Sequence, residues 1–260
     1  MQAIPGADQM TYRAPRDQTV RIGTAAWSIP KEHASAFPAA GSHLERYSAI
    51  FNVVEINSSF YRPHRTATYE RWAASVPVSF RFAVKVPKAI THENRLKDTD
   101  DLLDRFLSEV SGLGPKLGPL LVQLPPSLRF EDGVADTFLS KLRGRVEGPL
   151  VCEPRHASWF TPEVEGLLHE LRIARVVADP APVPSAGTPG GWRGMSYYRL
   201  HGSPRIYYSA YSPEYLAAIA ERIASDAADE IETWCIFDNT AAFAATGDAL
   251  TTRSLVLNRR

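Results

Sequence analysis

Eight short apolar runs, separated by loops and by stretches with helical spacing, constrain the fold of this chain more than any other feature. They fall at 20–25, 53–57, 80–86, 120–124, 150–153, 174–178, 197–201 and 231–237. Runs this short, rich in branched apolar residues, read as buried strands. Between them, Ser42 opens a helical pattern carrying Leu44, Tyr47 and Ile50, and Thr66 can cap a helix through Tyr69 and Trp72. In 100–110, Leu103, Phe106, Leu107 and Val110 share one helical face. Further helices are expected at 134–142, 162–171, 212–224 and 241–251. After the sixth run comes PAPVPSAGTPGGWRG, whose prolines and glycines predict a short or missing sixth helix.

Strands each returned by a crossover make either a (β/α)8 barrel or a doubly wound open sheet. The number of runs favours the barrel, as does the motif GTAAW after the first strand, which lacks a glycine-rich dinucleotide loop. The expected fold class is therefore α/β, a single (β/α)8 TIM-type barrel over 20–260, preceded by an N-terminal arm at 1–19. The arm has no apolar core of a secretory signal and no run matches a membrane span, so a cytoplasmic protein is expected. Over 260 residues a 44% hydrophobic content supplies a large core. Net charge is +0, which provides no global field for nucleic acid, and no large non-specific footprint on it is expected. Cys152 and Cys235 lie inside apolar runs and read as buried free thiols. Oligomeric state is not legible at this level.

Barrel chemistry sits at the carboxyl ends of the strands, and these ends are unusually polar. In order they present Thr24 and Trp27; Glu55 and Asn57; Lys85, with His92 in its loop; Gln123; Glu153, Arg155 and His156; Asp179; Arg199 and His201; Asp238 and Asn239. Each has a local explanation when taken alone. Asp179 before Pro180 can start a turn, Asn239 can cap a helix, and Glu153 can pair with Arg155 or Lys85. Together they are expensive to bury without a use, because barrel interiors are normally filled by branched apolar side chains. The fifth run is the most heavily loaded, and alternation puts Glu153 and Arg155 on one face with Val151.

Lys85, Arg155 and Arg199 suit a phosphate or carboxylate, while Glu55, Glu153 and His201 are candidate acid/base groups, with His156 a further imidazole. Asn57, His92, Gln123, Asp179, Asp238 and Asn239 complete the substrate contacts. The expectation is an enzyme acting on a small anionic ligand, phosphorylated or sugar-derived, with the reaction class open among hydrolase, isomerase and lyase. No cofactor is legible. A divalent metal held by Glu55, Glu153, Asp179 and His201 is the competing reading, for an isomerase or phosphoester hydrolase. No HExxH-type spacing supports it, and the nearby cations oppose it, so no metal ligand is assigned. A third reading is a non-catalytic protein that binds the same anion. A Schiff base at Lys85 competes with the commoner ion pair to a carboxylate. A retaining glycosidase is disfavoured, since the fourth and seventh strands end in Gln123 and His201 rather than carboxylates. The aromatic loop at 60–65 and Tyr207, Tyr208 and Tyr211 on the same rim can stack on a ligand, form a lid or simply pack.

The motifs GTAAW (23–27), FNVVEINSSFYR (51–62), FAVKVPKAITH (82–92), LLVQLPPS (120–127), EPRHASW (153–159), YYRLHG (197–202) and IFDNTAAFAATGDAL (236–250) resemble those of the domain-of-unknown-function 72 family, the YecE-like proteins. The resemblance runs from about residue 21 to residue 250 and implies a single (β/α)8-type barrel, without implying a reaction. It places the family's shared polar positions on Glu55, Asn57, Lys85, His92, Gln123, Glu153, Arg155, His156, Arg199, His201 and Asn239. This chain departs from the family pattern at Ala25-Ala26, where a small residue and Gly are usual. It departs again at Cys152-Glu153-Pro154, where a valine-like residue, Glu and an aromatic are common, and at Asp238, where Asn is frequent.

Overall fold

Strand register builds the eight apolar runs into a nearly closed parallel ring. The computed structural model describes residues 19–259, so the expected N-terminal arm lies outside the described residues except for Thr19. The strands are β1 (Val20–Ala25), β2 (Val53–Ile56), β3 (Arg81–Lys85), β4 (Leu117–Gln123), β5 (Leu150–Glu153), β6 (Ile173–Arg175), β7 (Val177–Asp179), β8 (Gly190–Gly191), β9 (Met195–Leu200) and β10 (Glu232–Phe237). Parallel pairing runs from β1 through β2, β3, β4 and β5 to β6 on one side, and from β1 through β10 and β9 to β7 on the other. β6 and β7 are two halves of the sixth apolar run, parted at Val176, whose amide still bonds the Cys152 carbonyl at 2.9 Å. The barrel therefore closes through one interrupted strand. Both faces of these strands are covered, which is why they read as continuous apolar runs rather than alternating ones.

Helices form the outer layer: α1 (His43–Ser48), α2 (Ser58–Tyr61), α3 (Thr66–Ala74), α4 (Asp100–Val110), α5 (Asp132–Arg145), α6 (Pro162–Glu170), α7 (Pro213–Ala228) and α8 (Ala244–Leu257). Ser42 starts α1 through a reciprocal capping box with Glu45, and Thr161 and Ser212 cap α6 and α7 just ahead of a proline. Thr66 does not cap α3. Arg65 occupies that position, and the Thr66 hydroxyl donates to the Ser108 carbonyl instead. The sixth helix is missing as the prolines imply, since Pro184–Gly187 forms a single 3-10 turn and β8 folds back antiparallel on β6. Among the described residues no helix is long and apolar enough to cross a membrane. Both cysteines are buried and free.

One apolar core fills the space between sheet and helices, and a second lies inside the ring around Ala83, Leu121, Val151, Tyr197 and Trp234. At the floor Trp234 stacks on Tyr197, with centroids 6.1 Å apart, and the Arg21 guanidinium lies 5.5 Å from the Trp234 ring. Gly118 makes room for that indole, because a Cβ there would meet it at 2.4 Å. Ala26, at φ 71°, occupies the left-handed region where glycine is free of strain.

Candidate functional site

Above this apolar floor the barrel interior becomes ionic within one layer of side chains. Alternation along β9 sends Tyr197 and Arg199 inward, with His201 following on the same side, and leaves Tyr198 and Leu200 facing the helices. Arg199 is fully buried and spans the ring. Its Nη2 donates to Glu55 Oε1 at 2.7 Å, its Nε reaches both Glu55 oxygens at 3.1 Å, and its Nη1 donates to Glu153 Oε2 at 2.9 Å. Asp238 Oδ2 lies 2.9 Å from Nη2. One guanidinium thus fills the space on which three carboxylates from β2, β5 and the end of β10 converge.

Beneath it the Tyr197 hydroxyl donates to Glu55 Oε2 at 2.8 Å, and burial together with the Glu55 charge holds that phenol well above its usual range. Above it His201 bridges two carboxylates, with Nδ1 3.0 Å from Asp238 and Nε2 2.9 Å from Glu153. Burial alone would lower the His201 pKa, but Glu153 and Asp238 outweigh it and raise it, favouring the imidazolium. Burial likewise opposes ionisation of Glu153 and Asp238. Arg199 leads the charges that reverse this, holding Glu153 well below the carboxylate range and Asp238 below its own. Asn57 joins the same network, donating to Asp238 Oδ1 at 3.1 Å and accepting from Arg199 at 3.4 Å.

Arg155 caps this network at the solvent side. Its Nε and Nη2 donate to Glu153 Oε1 at 3.1 and 3.0 Å, its Nη1 donates to the Tyr207 hydroxyl at 3.2 Å, and its side chain keeps 24% of its exposure. The Tyr207 ring packs edge-on against His201, with centroids 5.6 Å apart, so this rim tyrosine is a roof over the imidazole.

The other side of the mouth is built differently. Lys85, in register with inward-facing Leu121, is 7% exposed, and its Nζ lies 4.0 Å from the centroid of the Phe60 ring. No ion pair or hydrogen bond from the described residues reaches that ammonium. Desolvation first, and then the Arg199 charge, lower its pKa to about 8. His92 stands edge-on to the same Phe60 ring at 4.9 Å and bonds the Thr91 hydroxyl; burial and then Lys85 and Arg155 push it down to about 4, so it is neutral at neutral pH. Gln123 is in register with Glu153 and therefore faces the interior as well.

Three expected contacts stay outside the cluster. Asp179 pairs with outward-facing Leu200, and its carboxylate accepts from the Tyr211 hydroxyl at 2.9 Å. Asn239 follows inward-facing Asp238 and turns the other way, donating to Asp248 at 2.7 Å and to the Ser209 carbonyl at 2.9 Å. His156 bonds Ser158 and caps a short 3-10 turn. The quartet considered for a divalent ion is accordingly not assembled: Asp179 faces away, and Arg199 occupies the centre of the carboxylates. Among the described residues no three His, Cys, Asp or Glu side chains form a group that could hold a metal ion. Arg199 itself is engaged on every side and is not free to clamp an anion. Sequence reasoning overlooked Tyr197, although its place two residues before Arg199 puts both on one face.

Comparison with known proteins bears on the family and the fold. The family model described as "Protein of unknown function DUF72" matches residues 21–259. The chain is 32% identical over 173 residues to UPF0759 protein YecE of Escherichia coli (strain K12), covering 64% of this chain and 61% of that protein. UPF0759 protein YunF of Bacillus subtilis (strain 168) is 27% identical over 173 residues, covering 58% and 60%. The chain thus spans about three fifths of the length of these relatives. Among solved structures, a DUF72 family protein from Enterococcus faecalis V583 superposes with a TM-score of 0.77 at 21% identity over 92% of this chain and 95% of that one. One from Thermotoga maritima MSB8 gives 0.73 at 24% identity, over 92% and 99%. At these identities the solved structures speak for the fold alone.

Proposed function

This chain belongs to the DUF72 family, whose description assigns no reaction, and from its own residues we propose that it is an enzyme acting on a small anionic substrate at the carboxyl-end mouth of its barrel. The observation that carries this reading is the arrangement of charge. Glu55, Glu153 and Asp238 are matched by Arg199, Arg155 and Lys85, and the imidazolium of His201 leaves one positive charge in excess. Arg155 stands at the solvent side of that excess, and Lys85 has no carboxylate of its own. A phosphate or carboxylate entering the mouth would complete the charge balance in a poorly hydrated site, where such pairing is strong.

Glu153 and His201 are the proton-handling pair in this reading. Glu153 orients the imidazole through Nε2, and Asp238 holds it through Nδ1. When the substrate anion draws Arg155 from Glu153, the carboxylate gains a free lone pair beside a protonated imidazole, which sets a proton acceptor next to a proton donor. Asp238, where the family resemblance leads one to expect Asn, supplies the second carboxylate that helps keep His201 protonated.

A non-catalytic binder of the same anion is the second reading, favoured by the saturation of both His201 nitrogens. The two part company on turnover. A thermal-shift screen over phosphorylated metabolites, sugar acids and sugars should return a stabilising anion, worth about 2.7 kcal/mol at ~100 times its dissociation constant. With that ligand, Arg155→Ala is expected to abolish binding, while Glu153→Gln keeps binding and loses turnover. Wild-type behaviour of both variants would remove the enzyme reading.

A further inference from the structure

We infer that Lys85 is a covalent nucleophile, forming an imine with a small aldehyde or ketone that carries a carboxylate or phosphate. The inference rests on the anionic-substrate reading and narrows it to carbonyl compounds.

The geometry separates Lys85 from the other lysines. Lys31 is exposed, Lys88, Lys97 and Lys141 are half-exposed and paired with Glu93, Glu131 and Asp100, and the Lys116 ammonium donates to the Ala73 and Val76 carbonyls at 2.6 Å. Lys85 is more than nine-tenths buried, lies on the inward face of its strand, and its ammonium sits over Phe60 with no hydrogen bond or ion pair among the described residues. The three carboxylates that could pair with it, Glu55, Glu153 and Asp238, are each paired with Arg199 and reach the Lys85 charge only at longer range. An ion pair was the commoner expectation for this residue, and none forms among the described residues. An apolar wall together with a neighbouring cation is the environment that frees a lysine amine for attack at neutral pH. Its lowered pKa agrees, since roughly a tenth of the amine is then neutral at pH 7.

The step balances without an external redox partner. The neutral Lys85 amine adds to the carbonyl carbon, forming the N–C bond as the carbonyl π bond breaks and its oxygen takes up a proton. The resulting carbinolamine loses its hydroxyl as water after a second proton reaches it, and the nitrogen lone pair forms the C=N bond. Of these protons, one is the proton lost by the attacking nitrogen and the other is taken up from His201, the acid of the cluster, which solvent reprotonates. The products are a protonated imine and one water. Arg155, at the solvent side, holds the substrate's anionic group, and neutral His92 stands over the same Phe60 wall as a proton acceptor.

The test traps the imine in the unaltered chain. The protein is incubated at pH 7 with sodium cyanoborohydride and, separately, glyoxylate, pyruvate, glycolaldehyde phosphate or dihydroxyacetone phosphate, and is read by intact mass and peptide mapping. The expected result is one secondary-amine adduct per chain, on Lys85, formed at least about tenfold faster than on Lys97 and absent from Lys85→Arg. Adducts spread over surface lysines at the rate seen on Lys85 would overturn the inference. Thermal shift with the same probes separates it from the reading beneath it. Stabilisation that requires Arg155 without a Lys85 adduct sinks the imine and keeps the anion site. A Lys85 adduct indifferent to Arg155→Ala keeps the imine and sinks that site, while neither stabilisation nor adduct sinks both.

Discussion

The two sides of the barrel mouth solve the problem of buried charge in opposite ways. Around Arg199 every charged group has a partner within 3.1 Å, drawn from β2, β5, β9 and the end of β10. Around Lys85, on β3, an ammonium of comparable burial lies over an aromatic ring, with no ion pair to it among the described residues. The first side is a framework in which removing one charge strands the rest. The second is a held charge whose removal relieves the protein. A buried ion pair is itself weak evidence for stability, but a broken one is costly, and a lone buried charge is costly from the start.

The largest expected break in this comparison comes from Arg199→Met. It leaves three carboxylates converging on an uncharged side chain and should cost about 3–5 kcal/mol. Urea unfolding should show a large fall in midpoint, while Lys85→Met, removing a cation of comparable burial, should hold or raise it. Equal losses for the two variants would erase the distinction.

A somewhat smaller effect separates the two sides by pH. The folded pKa of Lys85, about 8, lies below that of an unfolded lysine, so protonated Lys85 opposes folding, and that penalty lifts as pH rises from about 8 towards about 10.4. The relief is on the order of 3 kcal/mol and should vanish from the stability–pH curve of Lys85→Met. His201 acts in the reverse sense. Its raised pKa contributes stability that is complete below about 6.5 and is lost as pH climbs through the folded value. Glu153 and Asp238, both depressed, contribute above about 4.3 and lose that contribution as pH falls through their folded values.

The smallest expected effect is that of Tyr197→Phe. It removes one hydrogen bond to a carboxylate that Arg199 still holds, for about 1–2 kcal/mol in the same unfolding experiment. A loss approaching that of Arg199→Met would place the framework's weight on Glu55 rather than on the guanidinium.

How far the sequence reaches can be read from which residues met. The ring itself was legible, because strands covered on both faces betray themselves as short apolar runs, and the missing sixth helix was legible in its prolines and glycines. Glu55, Glu153, Arg199, His201 and Asp238 met as their strand-end positions imply. Asp179 and Asn239 did not, because lying at a strand end says nothing about facing the interior. Alternation counted from Leu200 and Asp238 turns both outward. The same counting, carried back from Arg199, would have found Tyr197. That Arg199 is a framework cation and Lys85 a free one lay beyond reach, since it depends on which of several carboxylates each cation meets across strands far apart in the chain.

The indole of Trp234, seated against Gly118 and stacked on Tyr197, has a consequence for traffic. With the base filled, a ligand of the proposed kind that entered past Arg155 and Tyr207 would have to leave past them. Under the proposed enzyme reading, departure of the product and arrival of the next substrate would compete for the same few ångströms, with Arg155 at the threshold of both.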